Sequence, residues 1–343
     1  MMLIPSLTPS SAGEEVRMDG FIQTQRRLAL NIAQLLNQLP GAVAQGLIWG
    51  IMAIGVYITF RILDIADLTV DGSFATGGAV AAILITSGVN PWLATLIALA
   101  VGMLAGAVTG VFHTSMGIPA ILAGILTQLA LYSVNLRIQG IGTDLGSRAN
   151  VPMSINKYKN MLVSLRNVGK FTLDNPIWLM LLITVVLIGI MYWFFGTEYG
   201  CGLRAVGSNQ QMARAQGINT GTGKLVGLMV SNGLVAFSGA LMAQYQGFSD
   251  VSMGRGAIVI GLAAVIIGEV IFGRLFRNFA LKLLAVSLGA IIYYLVIQVV
   301  LWLGLNTDDL KLLTALVVAV FLAMPYWKDR ILTRKLKGGK RHG

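Results

Sequence analysis

Charge is what this sequence has least of. Of 343 residues only 11% are Asp, Glu, Lys or Arg, while 56% are hydrophobic. A soluble domain carries about 25% charged residues because its surface faces water. A chain this poor in charge has to turn most of its surface to lipid, which excludes a soluble globular protein. Cysteine is almost missing as well: Cys201 stands alone, so no intramolecular disulfide can form. The two histidines, His113 and His342, are too few for a metal site of the usual His/Cys kind. No GxxxxGK[ST] phosphate loop occurs, so ATP is not bound in that way. No nucleophile motif or carboxylate pair stands outside the apolar runs. Residues 1–17 are polar and hold two prolines, and they lack the basic start and apolar core of a secretory signal. Met18 opens a more ordinary beginning. That makes 1–17 a candidate mis-assigned extension, which N-terminal sequencing of the native protein would decide.

What is present in quantity is long apolar runs. Windows of about 20 apolar residues, the length that crosses a bilayer, fall at 44–61, 68–87, 91–112, 119–138, 176–196, 224–246, 256–273, 279–304 and 310–326. The expected fold is therefore all-α, a polytopic transmembrane helical bundle of about 8–10 spans. Forty-one glycines, many inside these runs, suit close helix packing in lipid. Residues 25–39 have helical spacing but are short and polar, which fits an interfacial helix. The chain divides into an N-terminal extension (1–43), a transmembrane domain (44–327) and a basic tail (328–343). A net charge of +11 could suggest nucleic acid. In a membrane protein, however, Lys and Arg mark the loops that stay in the cytoplasm. With the basic tail placed inside, fourteen basic residues fall on its side and eight on the other. Nine spans then put the N-terminus outside, and the basic loop 140–175 falls outside too.

Three segments carry more than topology. In the first, Asp64, Asp67 and Asp71 lead into a span that continues through Gly-Ser and Gly-Gly pairs. Acids at membrane depth are costly and usually face a protein interior or an aqueous path, and the glycines permit a broken helix. Asp64 and Asp67 fit equally an interfacial loop in which they cap the next helix; Asp71 lies deeper. The second is the loop 197–223, which holds a short helix over about 208–216, started by Ser208 or Asn209 and stopped by Gly217. So short a helix needs something to pack against. Ala205, Met212 and Ala213 offer a small apolar surface beside Arg204 and Arg214, as a docking surface for a cytoplasmic partner would. The third runs from Ser249 to Ala257, where Gly254 and Gly256 can break a helix at its external end. Glu269, one turn from the cytoplasmic end of that run, is expected to snorkel or to pair with Arg274.

Two stretches, LDIADLTVDGSFATGGAV at 63–80 and GLRAVGSNQQMARAQGIN at 202–219, resemble the permease subunits of bacterial ABC importers of the branched-chain amino acid and ribose class. The likeness is greatest to the subgroup that works with lipoprotein binding proteins in aromatic amino acid uptake. It extends through 227–247 and 254–273 and covers roughly 44–330. The polar stretch before residue 20 departs from the family's pattern. The resemblance implies a multi-pass protein of the cell membrane, two permease copies around one path, and a homodimer in this subgroup. It also implies a cytoplasmic ABC ATPase and an extracytoplasmic binding lipoprotein as partners, and no nucleic acid. ATP and magnesium would sit on the ATPase, so this chain would bind no cofactor and would not itself be an enzyme. By position, Leu203, Arg204, Ala205, Gly207, Asn209, Met212, Ala213, Gly217 and Ile218 would couple to the ATPase. Asp67, Thr69, Asp71, Ser73, Gly77 and Gly78 would line the translocation path. The expected solute is an amino acid, aromatic or branched-chain, with a sugar or a nucleoside as the alternative. The competing reading is an ion-coupled secondary transporter using Asp71 or Glu269 as its titratable acid, against which the loop 197–223 counts.

Overall fold

In lipid every backbone N–H and C=O needs a partner within the chain, so an apolar run resolves into helix. The computed structural model describes residues 38–143, 146–153, 176–302 without 274 and 277, and 312, 315–316, 318–320 and 323. Helix α1 runs Gln38–Ile62 and ends in a π-turn, Ile58–Ile62. It is followed by α2 (Thr69–Thr86), α3 (Pro91–Thr114), α4 (Ala120–Gln139), strand β1 (Asn150–Pro152) and α5 (Pro176–Gly196). Two short helices come next, α6 (Glu198–Ser208) and α7 (Gln210–Ala215), then α8 (Thr220–Gln246), β2 (Phe248–Asp250), α9 (Ala257–Phe272) and α10 (Phe279–Trp302).

Seven of the described helices are long and apolar enough to cross a membrane: α1 to α5, α8 and α10. The eighth, α9, has 16 residues, or about 24 Å at 1.5 Å per residue, short of the roughly 30 Å of hydrocarbon. The helix is cut at its first end by Gly256, whose φ of 84° is a left-handed conformation that only glycine adopts freely. That is the break expected there. The expected span 310–326, the interfacial helix 25–39 and the basic tail lie wholly or largely outside the described residues. Two boundaries move by a turn or more, and the first is the start of α1, at Gln38 rather than 44. Helix α8 begins at Thr220 rather than 224, because the Asn219 side chain accepts hydrogen bonds from Gly221 N and Thr222 N and starts the helix in a polar stretch.

Helices α2, α3 and α8 form the tightest body, joined where glycines let backbones touch. A Cβ on Gly77 of α2 would lie 1.9 Å from the Ala236 carbonyl oxygen of α8, and one on Gly239 of α8 would lie 2.0 Å from that of Phe74. The Gly102/Gly106 face of α3 also abuts α8. Helices α1, α2 and α8 are mostly buried, while α4 and α5 leave most of their apolar length exposed, as a lipid-facing shell does.

The two ends of the bundle differ in kind. One carries an antiparallel ribbon of β1 and β2 in register Asn150↔Asp250, Val151↔Ser249 and Pro152↔Phe248. Sequence reasoning does not anticipate this ribbon, since three residues are too few to show alternation. The other end gathers α6, α7 and the basic residues Arg61, Arg204, Arg214, Lys224 and Lys282.

Candidate functional site

The basic end is built around the α6–α7 segment. Helix α6 starts at Thr197, whose hydroxyl accepts from Gly200 N, and ends at Asn209. Asn209, in an extended conformation, closes α6 and opens α7, its side chain accepting from Met212 N at 3.0 Å. Gly217, with φ +80°, ends the segment. The helix expected over 208–216 is thus α7, Gln210–Ala215, while α6 before it escapes sequence reading. Its three glycines, Gly200, Gly202 and Gly207, lower helix propensity, and two of them are needed for packing. A Cβ on Gly207 would meet the Ile62 carbonyl oxygen at 1.6 Å, and one on Gly200 would meet that of Phe194 at 2.3 Å.

The side chains of this segment divide into two sets. Leu203, Val206 and Ala213 are buried and anchor it to the bundle. Ala205 and Ile218 are half-buried, and Ile218 N closes the turn on the Ala213 carbonyl at 3.0 Å. Met212, 62% exposed, points away from the body. Of the apolar surface expected from Ala205, Met212 and Ala213, Met212 is therefore the outward part and Ala213 belongs to the interior. Arg204 is also tied inward. Its guanidinium donates to the Phe195 carbonyl, approaches Cys201 Sγ at 3.3 Å and lies over the Phe279 ring at 5.7 Å. It clamps α5, α6 and α10 together. Arg214 Nε donates to Thr220 Oγ1 at 2.9 Å, joining α7 to α8.

The acidic entry to α2 is an internal polar network in this subunit. Asp67, Thr69, Ser73, Gly77 and Gly78 are all buried. Asp67 Oδ1 accepts from Thr69 N at 2.9 Å, and Asn232 Nδ2 donates to Asp67 Oδ2 at 2.6 Å. Ser73 Oγ donates to Asn232 Oδ1 at 2.6 Å. Thr69, Thr109 and Thr127 continue the network through hydroxyl contacts of 2.7 and 2.9 Å across α2, α3 and α4. Burial pushes the Asp67 carboxyl above the usual carboxylate range, against the hydrogen bonds from Thr69 and Asn232. The stretch expected to line the path thus packs against α3, α4 and α8 of its own subunit. Its small residues let neighbouring segments approach closely. Asn232 joins this network unheralded. The available signal was an amide inside an apolar run, where polar groups are costly.

Asp71 occupies the other end of this logic. Gly256 N donates to its Oδ2 at 2.9 Å and Ile258 N to its Oδ1 at 3.0 Å. These are the free amides at the start of α9, which has no side-chain cap of its own. Gly254 lets the loop approach, for a Cβ there would meet the Asp71 carbonyl oxygen at 2.0 Å. Glu269, near the far end of α9, pairs with Arg61 in a bidentate contact, in which Nε donates to Oε1 at 2.9 Å and Nη2 donates to Oε2. Among the described residues its partner is Arg61 at the end of α1; the expected partner, Arg274, lies outside them. Among the described residues no group of three or more His, Cys, Asp or Glu could hold a metal ion.

This geometry has relatives. Residues 39–324 match the family described as branched-chain amino acid transport system, permease component. A tyrosine transport system permease protein of Clostridioides difficile (strain R20291) is 41% identical over 288 residues, 84% of this chain and 91% of that protein. The ribose import permease protein of Escherichia coli (strain K12) is 28% identical over 234 residues, 68% of this chain and 69% of that one. Among solved structures, a metal-chelate type ABC transporter in an inward-facing conformation aligns over 85% of each chain at 15% identity, with a TM-score of 0.46.

Proposed function

Because the chain belongs to the branched-chain amino acid transport permease family, we propose that two identical copies form the path of an ATP-driven importer for an amino acid with an aromatic or branched side chain. The chain is the multi-pass permease subunit of an ABC importer in the cell membrane. Hydrolysis of ATP, and any nucleotide or magnesium, belongs to a separate ATPase in this reading. A binding lipoprotein delivers the solute at the ribbon end. The solute assignment draws on 41% identity to the tyrosine transport permease, against 28% to the ribose permease.

One observation carries the coupling role: α6 and α7 are held rigidly at the basic end while Met212 is turned outward. The segment needs no further partner to fold, since Leu203, Val206 and Ala213 already bury its inner face. An exposed methionine on a fixed helix suits an adaptable contact with another protein. Through Gly207, the same segment rests directly on the end of α1. Nucleotide-driven closure of two docked ATPases would move this segment and, with it, the equilibrium between outward- and inward-open states. Only the difference in ATPase affinity between those states can drive the shift.

The test is reconstitution of the permease with its ATPase and binding lipoprotein in vesicles. Labelled tyrosine is expected to accumulate with ATP, and labelled ribose is not. Met212→Asp is expected to lose both the co-purifying ATPase and uptake, while the isolated permease keeps its thermal midpoint. Arg204→Glu is a poorer probe, because that side chain also holds α5 and α10. Ribose uptake at the tyrosine rate would remove the solute assignment. Full retention of the ATPase by Met212→Asp would remove the docking role. Tyrosine uptake without ATPase, abolished by a proton uncoupler, would put a secondary carrier in place of the importer.

A further inference from the structure

A cavity of about 840 Å³ opens at the basic end between α1, α5, α6 and α10. Three cationic groups line it, Arg61, Arg204 and Lys282, together with the rings of Tyr57, Trp193 and Phe279. No carboxylate lines it among the described residues. Arg61 is compensated by Glu269. Arg204 touches a carbonyl, a thiol and a ring, and neither it nor Lys282 meets a carboxylate among the described residues. Two positive charges are thus left facing one space at the rim of the membrane domain, where mutual repulsion favours an anion between them.

The surroundings of the cavity say which kind of anion fits. It opens beside the last turn of α5, where Tyr192 is exposed and Trp193 is 72% exposed, as aromatic rings at the headgroup level of a bilayer are. From there an apolar stripe runs back along α5 through Val186, Val185 and Leu182 to Trp178, all exposed. Gly189 interrupts the stripe one turn before Trp193, and a Cβ there would meet no atom within 4 Å. The notch leads from the cavity onto the lipid-facing surface of α5. A free anion would use the cavity alone, whereas a phospholipid would use the cavity and the notch together.

We propose that this cavity is a binding site for one anionic phospholipid, its phosphate between Arg204 and Lys282 and its acyl chains along α5 past Gly189. Basic pockets between helices at the cytoplasmic face take such headgroups. The assignment is independent of the transported solute, since lipid retention is measured without transport.

The experiment titrates the purified full-length permease in mild detergent with phosphatidylglycerol, using phosphatidylcholine of the same acyl chains as control, and counts bound lipid by native mass spectrometry. Phosphatidylglycerol is expected to bind roughly ten-fold more tightly than phosphatidylcholine. Lys282→Gln is expected to weaken phosphatidylglycerol about five-fold and leave phosphatidylcholine unchanged. Gly189→Leu, which fills the notch on an exposed face, is expected to weaken both. Equal affinity for the two lipids, or no effect of Lys282→Gln, overturns the proposal. Displacement of phosphatidylglycerol by millimolar inorganic phosphate, with Gly189→Leu silent, would make the cavity a free-anion site and overturn it as well. Loss of the lipid when the ATPase is bound would assign the cavity to that interface instead.

Discussion

Asp71→Ala should loosen the start of α9 by an amount that can be worked from two hydrogen bonds. The carboxylate accepts from Gly256 N at 2.9 Å and Ile258 N at 3.0 Å, and Gly256 at the helix start supplies no side-chain acceptor. Loss of a capping acceptor costs about 1 kcal/mol. Loss of a negative charge from a helix N-terminus costs about 1 kcal/mol more. Together these come to roughly 2 kcal/mol, or about thirty-fold in a local opening equilibrium. Hydrogen exchange read on peptides spanning 254–260 in detergent measures that equilibrium directly. Asp71→Ala is expected to accelerate exchange there about thirty-fold, with Asp71→Asn in between because its amide oxygen can still accept one bond. Protection elsewhere, on α3 for example, should not change. If exchange at 254–260 is unaltered in Asp71→Ala while uptake disappears, Asp71 acts on a solute or a proton and not as a cap.

Two further outcomes follow from contacts already described. Gly239→Ala would put a Cβ about 2.0 Å from the Phe74 carbonyl oxygen, a backbone atom that cannot swing away. It is expected to abolish accumulation in the membrane on immunoblot, whereas Gly189→Ala, with open space around its Cβ, should accumulate normally. Glu269→Gln removes one side of a pair whose side chains are 50% and 32% exposed. Exposed pairs contribute about 0–1 kcal/mol, so the thermal midpoint should barely move and ATP-driven uptake should persist. Loss of uptake with an intact fold would make Glu269 a working acid.

The spans are legible in the sequence because hydrophobic length is a local property. The apolar windows at 176–196 and 279–304 reappear as Pro176–Gly196 and Phe279–Trp302. The broken entry to α9 is legible for the same reason, since Gly254 and Gly256 are separated by Arg255 alone. Partnerships are not local. Asp71 meets residues 185 and 187 positions away, Asn232 meets Asp67 across 165, and Arg61 meets Glu269 across 208. Nothing in a single sequence separates a buried acid that caps a distant helix from one that faces a path, because both need an acid at membrane depth. Helix α6 was hidden for a related reason. Its glycines weaken it as an isolated helix, and their use becomes visible only once the Ile62 carbonyl lies against Gly207.

The same contacts determine which helix receives a displacement from the basic end. Helix α6 has several seats: Gly200 and Arg204 on the end of α5, Arg204 also over Phe279 of α10, Gly207 on the carbonyl of Ile62 in α1, and Val206 beside Gly223 in the first turn of α8. Helix α1 is in turn bonded to α8, with Ser231 Oγ donating to the Gly55 carbonyl at 2.8 Å and Ser238 Oγ to that of Ile48 at 2.7 Å. It reaches α9 through Arg61 and Glu269. Close-packed interiors transmit strain and yield little before they rearrange. Motion that begins at Met212 therefore meets α1, α5, α8 and α10 together. It reaches the buried Asp67 both along the chain from Ile62 and through α8, the helix whose Asn232 bonds its side chain. If α6 drives the change of state, the Asp67–Asn232–Ser73 network has to travel with α8 as one piece.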